Sequence, residues 1–254
     1  MALTAVLINV TDIGRSVDFY TTHLGALPLE VGSDSAELDV VTARIRLKRL
    51  DTAAETTWIP DDLQRGFRHL GFKTADLDGR VAALKRDGAR FHLDPLSAEG
   101  GVRIAFFYDP DGTLVELVEG PLQYHEVFDR DAVDSDWALG EPDRPRFDHI
   151  AESVADAQAT HAHYQARGFV LMGGIHQPHD NRGFEITFLR DGDVSIEVFS
   201  FDAPMIARAP QLDAPGFRAA ELTAPFTGTE PVMELAGRAY VTDMDGLVQT
   251  EKEA

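Results

Sequence analysis

The sequence contains no cysteine among its 254 residues. Neither a disulfide framework nor a thiolate metal site can therefore form, and any bound metal must use nitrogen and oxygen ligands. Long apolar runs are also missing, since no stretch approaches the roughly 20 residues that a membrane helix requires. The start, MALTAVLINVTDIGRS, has no basic n-region and favours a first strand over a signal peptide. We therefore expect a cytoplasmic protein.

Basic residues are scarce beside acidic ones. The chain has 23 Lys and Arg against 43 Asp and Glu, a formal net charge of −20. Charge of this sign repels phosphate backbones and anionic lipid surfaces, which argues against a nucleic-acid or membrane partner. The length fits one large domain or two of ordinary size, each able to bury a core.

One layout of residues occurs twice in intact form. The segment HLGFKTADLDGRVAALKRDGARF begins at His69, and HIAESVADAQATHAHYQARGFV begins at His149. Each has Asp seven residues after its histidine and Gly twelve residues after that Asp. Asp fits a helix N-cap and Gly fits a helix stop. Three strand-like runs follow each helix, so that both units are predicted to be β-α-β-β-β.

The last strand of each unit carries a glutamate at almost the same distance from the histidine. Glu116 lies 47 residues after His69, and Glu197 lies 48 residues after His149. The turns before these strands, Asp109-Pro110-Asp111-Gly112 and Asp191-Gly192, are typical of tight connections. Two such coincidences indicate a true repeat.

The same template fits both ends of the chain, but without its polar residues. Ala5 occupies the histidine position of the first copy, in which Asp12 caps a helix that ends near Gly25. Ala219 occupies it in the fourth copy, where the glutamate position falls on Thr250. Neither alanine can bind a metal.

The fourth copy is predicted to be eroded. Its helix is expected to be short or missing, because Pro225, Gly228 and Pro231 interrupt the stretch where it would lie. The predicted organisation is a first pair of modules, a linker rich in Asp and Pro, and a second pair: residues 1–120 (modules 1–55 and 65–120), 121–145, and 146–254 (modules 146–201 and 214–254).

With these residues laid out, the chain resembles the vicinal-oxygen-chelate superfamily over nearly its full length. That superfamily includes glyoxalase I, extradiol dioxygenases, methylmalonyl-CoA epimerase and the bleomycin- and fosfomycin-resistance proteins. The most specific pieces are His69 with its capped helix and the run FFYDPDGTLVEL from Phe106 to Leu117. The resemblance implies an α+β fold in which tandem βαβββ modules form curled mixed β-sheet cups.

The resemblance also implies a metal site, because superfamily ligands come from the first and last strands of each module. His69 and Glu116 match these positions in the second module, and His149 and Glu197 match them in the third. Imidazole and carboxylate suit one divalent cation such as Mn, Fe, Co, Ni, Zn or Mg. The four ligands meet if module two pairs with module three, as in single-chain glyoxalase I enzymes. Pairing one with two and three with four would leave two weak half-sites. We favour the first arrangement.

The activity that the resemblance implies is that of a metal-dependent isomerase or lyase, whether glyoxalase-like, an epimerase or a β-eliminase. Such an enzyme chelates adjacent oxygens of a small substrate and abstracts a C–H proton, with Glu116 and Glu197 as candidate bases. Two alternatives stay open: a metal-free, antibiotic-type binding or resistance protein, and an extradiol ring-cleaving dioxygenase, which would need a histidine in the fourth module. A small-molecule substrate is the expected partner, and a homodimer stays an open alternative.

Five further side chains are candidates for contact with a substrate. His92 and His176 occupy equivalent places in the second strands of modules two and three. Tyr124 and His125 follow the second module and can fold over the opening of the cup, and Arg182 lies in a polar loop between strands. For each of the five, the alternative is an ordinary surface or packing role.

Overall fold

The structure, a computed structural model, describes residues 3–223 and 233–252. Within these ranges the α-helices are α1 (Ile13–Leu24), α2 (Leu77–Arg86), α3 (Arg130–Ala138) and α4 (Ala157–Gln165). None of them is long and apolar enough to cross a membrane. The stretch in which the fourth copy's helix was expected to be interrupted, around Pro225, Gly228 and Pro231, lies outside the described residues.

Two large mixed sheets contain the described strands. The first sheet has the order β15-β16-β17-β14-β1-β4-β3-β2 and the second the order β6-β7-β8-β5-β10-β13-β12-β11-β9. The strands of the first sheet are β1 (Leu3–Val10), β2 (Leu27–Val31), β3 (Ser35–Asp39), β4 (Arg44–Arg49), β14 (Gly216–Leu222), β15 (Met233–Leu235), β16 (Arg238–Thr242) and β17 (Val248–Glu251). Those of the second sheet are β5 (Gly66–Lys73), β6 (Phe91–Ser97), β7 (Arg103–Tyr108), β8 (Leu114–Glu119), β9 (Glu126–Val127), β10 (Arg146–Val154), β11 (Val170–His176), β12 (Glu185–Asp191) and β13 (Val194–Ser200).

The sheet order decides which modules lie side by side. Modules two and three form the second sheet, joined where β5 pairs antiparallel with β10. Modules one and four form the first sheet, joined where β1 pairs antiparallel with β14. Each sheet therefore takes one module from each half of the chain. The α+β fold of repeated βαβββ modules that the sequence predicts is confirmed.

The helix starts that the sequence predicts are confirmed in three modules. The Asp12, Asp76 and Asp156 carboxylates accept hydrogen bonds from the third backbone N–H beyond them, at 2.9, 2.9 and 3.0 Å. Each bond satisfies one of the unpaired N–H groups in the first helical turn. Gly25 ends α1 with φ of 62°, a left-handed conformation that glycine adopts without strain.

Residues 121–145, which form the joint between the halves of the chain, have secondary structure of their own. Its short strand β9 pairs with β11, and helix α3 follows, with Asp129 as its N-cap. Val133 of α3 is buried beside Met172 and Ile175 of β11. The segment that the sequence presents as a linker therefore lies along the edge of the second sheet.

One continuous apolar core joins the two sheets. It includes Ile8 of β1, Phe72 of β5 and Ile150 of β10, together with side chains of α1, α2 and α4. Because these side chains occupy the helix-covered faces of the sheets, the opposite, concave face of each sheet is left to form a cup.

Two tyrosine–aspartate contacts connect the helices of one sheet to turns of the other. The Tyr20 hydroxyl of α1 donates to Asp109 at 2.7 Å, and the Tyr164 hydroxyl of α4 donates to Asp243 at 3.1 Å. Each aspartate also accepts backbone N–H groups within its own turn. Burial raises the pKa of Asp109 to about 6, against the effect of the Tyr20 hydrogen bond. These buried contacts fix the two sheets relative to each other.

Glu152 of β10 lies near the second of these contacts and is fully buried. Burial raises the pKa of Glu152 well above its ordinary value, and the negative charge of Asp243 raises it further. The folded protein therefore keeps a proton on Glu152 at a pH where the unfolded chain has lost it. This raised pKa makes folding less favourable as the pH rises above the ordinary value of a glutamate, about 4.3.

Replacing Glu152 with Gln, a neutral amide of similar size, should remove this pH dependence. We expect Glu152→Gln to be more stable relative to the wild type at pH 8 than at pH 5, by a difference on the order of 1 kcal/mol or more. Urea unfolding at both pH values measures it, with Glu30→Gln on the exposed strand β2 as the control. An equal change of stability at both pH values would contradict the assignment.

Candidate metal centre

The centre of the second sheet holds the four residues that the sequence selects as ligands. His69 lies in β5 and His149 in the antiparallel strand β10. Glu116 lies in β8, parallel to β5, and Glu197 lies in β13, parallel to β10. In both pairs the glutamate lies opposite the residue two places after the histidine, which puts all four side chains on the concave face.

A β-bulge precedes each histidine. The pairing of β5 with β10 shifts register at Arg68 and again at Asp148, the residues immediately before His69 and His149. An extra residue in one strand bends it and changes the direction of the neighbouring side chains. The two bulges therefore belong to the local geometry that brings the imidazoles together.

The ligand atoms converge closely. The Nε2 atoms of His69 and His149 are 3.1 Å apart. Glu116 Oε2 lies 3.3 Å from His69 Nε2 and 3.1 Å from His149 Nε2. Glu197 Oε2 lies 3.2 and 3.3 Å from the same two atoms. All four ligand atoms are within 4.8 Å of one another.

These separations fit a divalent cation at their centre. Ligands about 2.1 Å from a metal are about 3.0 Å apart at adjacent octahedral positions and about 3.4 Å apart at tetrahedral ones. The five distances given above lie between these values. Four protein ligands in an octahedral arrangement would leave two adjacent positions for the oxygens of a substrate.

Local packing also fits a site built for ligation. A Cβ atom on residue 71 would overlap the imidazole of His149, so that only glycine leaves room for the ring. Glu197 Oε2 is buried and has no hydrogen-bond partner among the described residues. A buried carboxylate oxygen without a donor is costly unless a cation supplies the missing interaction.

The electrostatics of the cluster favour positive charge between the two glutamates. Burial alone would raise the pKa of Glu116, but hydrogen bonds from His149 and His69 lower it to about 2. Burial alone would lower the pKa of His149, but the charge of Glu197 and the hydrogen bonds to Asp148 and Glu116 raise it well above its usual value. A bound cation would meet the same attraction.

Asp148 orients one of the ligands. Its Oδ2 accepts a hydrogen bond from Nδ1 of His149 at 3.0 Å, which holds the ring with Nε2 facing the cluster, where its lone pair would bind a cation in place of the Nε2 proton. Although burial raises the pKa of Asp148, this hydrogen bond and the charge of His149 lower it to about 2. Sequence reasoning missed Asp148, although its position directly before His149 was visible. Its role depends on the bulge, which the sequence does not reveal.

The cluster forms part of the wall of a cavity of about 480 Å³, to which His149, Glu116 and Glu197 contribute. Phe106 and Phe199, which pack edge-on against the ring of His69, line the same space. The volume falls within the range of sites for small organic ligands.

Three of the predicted substrate residues lie along the joint and β11. Tyr124 lines the cavity. His125 does not, and its ring stacks on His176, with centroids 5.8 Å apart. His176 Nδ1 lies 2.5 Å from Glu185 Oε2, and its exposed ring does not line the cavity either.

The remaining two candidates, His92 and Arg182, do not line the cavity. His92 of β6 is exposed, and its Nδ1 is 3.2 Å from the Tyr108 hydroxyl. It lies near the opposite end of the sheet from His176, and it does not line the cavity. Arg182 forms a two-pronged ion pair with Asp62, at 2.9 and 2.8 Å, and reaches the cavity only through that carboxylate.

The first sheet repeats this geometry with different residues. Leu7 lies opposite Arg46, and Glu221 lies opposite Thr250, in the same register as the ligand pairs of the second sheet. The metal positions are therefore occupied by four residues that cannot reproduce the site: Ala5, Arg46, Ala219 and Thr250.

An ion-pair network lies in the cup of the first sheet, the first cup. The fully buried Glu221 contacts Arg46 at 2.5 Å and Arg238 at 2.6 Å. Thr4 also donates to it, at 2.6 Å. Since two guanidinium groups already neutralise the carboxylate, the first cup offers no equivalent cation site.

Comparison with known proteins assigns the family. A sequence model of the Glyoxalase/Bleomycin resistance protein/Dioxygenase superfamily matches residues 2–117. The YraH protein of Bacillus subtilis, which has no characterised function, is 32% identical over 126 residues, which cover 46% of this chain and 97% of YraH. A lactoylglutathione lyase of Haemophilus influenzae is 27% identical over 126 residues, which cover 47% of this chain and 93% of that protein.

A probable chloroplastic lactoylglutathione lyase of Arabidopsis thaliana is 32% identical over 124 residues, which cover 46% of this chain and 35% of the plant protein. The crystal structure of glyoxalase I from Zea mays matches 98% of this chain and 91% of its own, with a TM-score of 0.67 and 18% identity, and therefore shares the fold. The chain belongs to the Glyoxalase/Bleomycin resistance protein/Dioxygenase superfamily.

Loss of the Asp148 carboxylate should weaken metal binding. In Asp148→Asn the amide cannot accept from Nδ1 of His149 with the strength of a carboxylate, so we expect about 10- to 100-fold lower affinity for Zn²⁺. Competition with a chromophoric chelator measures the affinity, with the exposed Asp143→Asn as a matched control. Equal affinities in the two variants would contradict a role for Asp148.

The two cups should differ in metal stoichiometry. We expect one tightly bound Zn²⁺ per chain by titration calorimetry, because one cup has the four ligands and the other has the Glu221 network. His69→Ala should abolish the tight site. Two equivalent ions per wild-type chain would contradict the predicted difference between the two cups. One ion that survives His69→Ala would show that the second sheet is not the metal centre.

Proposed function

We propose that this protein is a metal-dependent, glyoxalase-like enzyme that acts as an isomerase or lyase on a small substrate with adjacent oxygens. The observation that carries the proposal is the convergence of His69, Glu116, His149 and Glu197, the last three of which line one cavity. Membership of a superfamily that includes lactoylglutathione lyases supports it.

These four side chains would hold one divalent cation. When bound, the cation would polarise two substrate oxygens, lower the pKa of the neighbouring C–H and stabilise the charge that develops on oxygen. Because all four ligands come from one chain, the proposed centre needs no residue from a second copy.

The chain itself supplies the base. Glu116 and Glu197 both line the cavity, and we propose that one of them takes the C–H proton with the carboxylate oxygen that would not hold the cation. Returning it to the adjacent carbon gives isomerisation, returning a proton to the opposite face of the same carbon gives epimerisation, and loss of a β-substituent gives elimination. Phe106 and Phe199 shield the base from water on the cavity side, which strengthens its interaction with the developing charge.

The two alternative functions, an extradiol dioxygenase and a metal-free binding protein, have less support. An extradiol site would need ligands from the last two modules, but modules three and four lie in different sheets, and Ala219 replaces the required histidine. A metal-free binding protein would have no use for two matched histidine–glutamate pairs. The melting temperature in the presence of a divalent metal separates the metal-dependent enzyme from the metal-free binding protein, because an ion that binds only the native state must raise it.

Exchange of a C–H proton with solvent tests the base directly. Zn²⁺- or Mn²⁺-loaded protein should catalyse deuterium incorporation at the carbon next to the carbonyl of 2-hydroxyacetophenone, followed by NMR. We expect Glu116→Gln or Glu197→Gln to slow this exchange by about 100-fold or more, as loss of a general base does.

Metal content is measured on the same samples, and Glu30→Gln serves as the matched control. If both glutamine variants keep the metal and the full exchange rate, neither carboxylate is the base. If the loaded wild-type protein produces no exchange, the proposed proton abstraction is wrong for this class of substrate.

A further inference from the structure

The charges that surround the cavity restrict what can enter it. Building on the proposed function, we infer that the substrate of this site has an apolar body and is uncharged or cationic, and that the cavity discriminates against ligands that carry a free carboxylate. The inference rests on the proposed function, which supplies the site. The charge of the substrate is inferred from the side chains that line the cavity.

The apolar part of the wall is extensive. Ile104 and Phe106 come from β7, Ile186 and Phe188 come from β12, and Phe199 of β13 lies beside the ligand cluster. These five side chains come from both modules of the second sheet. A substrate that fills this space would bury its body against aliphatic and aromatic groups.

The charged part of the wall is mainly acidic. Asp62, Glu99, Asp136 and Asp148 line the cavity in addition to the two glutamates of the ligand cluster. Lys73 is the one Lys or Arg side chain among the described residues that line it. The undescribed residues 1–2, 224–232 and 253–254 contain neither Lys nor Arg.

Lys73 is already engaged. Its Nζ donates to the backbone carbonyl of Gly120. Its positive charge is also close enough to the carboxylates of Asp148 and Asp136 for a Coulombic attraction to both. An anionic ligand would have to compete with two carboxylates for this one ammonium group.

The arginines behind the wall are committed as well. Arg182 forms its ion pair with Asp62 at 2.8 Å, and Arg190 forms one with Asp136 at 2.5 Å. Neither arginine lines the cavity, and nor does the buried Arg68. The carboxylates therefore face the ligand while their cationic partners face away from it.

The two remaining wall carboxylates make their direct side-chain contacts with histidines among the described residues. Asp148 accepts from His149, a member of the ligand cluster, and Glu99 lies 3.8 Å from His125 with 36% of its side chain exposed. A carboxylate on the ligand would thus lose its hydration in a space whose charged side chains are mainly carboxylates. An ammonium or an uncharged group would not meet this penalty.

Three chelators that share one body test the inference. N-hydroxybenzamide presents two adjacent oxygens and an uncharged ring, and its 4-carboxy and 4-aminomethyl derivatives add a negative or a positive charge. Titration calorimetry on the Zn²⁺-loaded full chain measures each affinity, and the affinity of each probe for free Zn²⁺ is subtracted.

We expect the uncharged probe to bind at least about tenfold more tightly than the 4-carboxy probe, and the 4-aminomethyl probe to bind no more weakly than the uncharged one. Equal or tighter binding of the 4-carboxy probe would overturn the inference. So would failure of all three probes to bind Zn²⁺-loaded protein. Failure of Zn²⁺ itself to bind would instead refute the proposed function.

A charge reversal at the wall provides a second test. Glu99→Lys should tighten binding of the 4-carboxy probe about fivefold or more and leave the uncharged probe unchanged. Asp18→Lys is the matched control, since it makes the same change of net charge on helix α1, which packs against the other sheet. An equal effect of both variants would attribute selectivity to overall charge and overturn the inference.

Discussion

The antiparallel pairing of β5 with β10 is the interaction on which the candidate centre depends. It joins two modules that are separated along the chain by the joint, and it sets His69 and His149 close enough for their Nε2 atoms to be 3.1 Å apart. The parallel partners β8 and β13 then bring Glu116 and Glu197 to the same point. Any other pairing of modules would divide the four ligands between two cups.

Much of the fold and the core of the site could be predicted from the sequence, because both follow from repetition. The nearly equal spacing of 47 and 48 residues between histidine and glutamate identifies the strands of the candidate ligands. Asp76 and Asp156 mark helix starts, because their side chains form a local hydrogen bond that the residue pattern predicts. The surroundings of the site were harder to predict. Asp148 contacts His149 through a β-bulge, and Lys73 reaches the cavity from a fully buried strand, so that neither has a periodic signal. Of the five predicted substrate residues, Tyr124 lines the cavity and the other four do not. Tyr124 reaches the cavity because the joint packs along β11.

The two cups illustrate how one fold can keep or lose a site by a few substitutions. In the second sheet, Gly71 leaves room for the imidazole of His149, whereas Leu7 occupies the corresponding place in the first. Arg46 stands where Glu116 would be, and its charge is matched by the buried Glu221. The first cup therefore offers no equivalent cation site, and the proposed chemistry is confined to the second. The shared core and the two tyrosine–aspartate contacts hold the halves together.

The central claim is that one cation is held by two histidines and two glutamates from modules two and three. A crystal structure of the metal-loaded protein, with anomalous scattering recorded at the absorption edge of the metal, tests it most directly. The account predicts one strong anomalous peak per chain, about 2.0–2.3 Å from Nε2 of His69 and His149 and from a carboxylate oxygen of Glu116 and Glu197. A peak that contacts only one module, or a peak in the first cup, would contradict it.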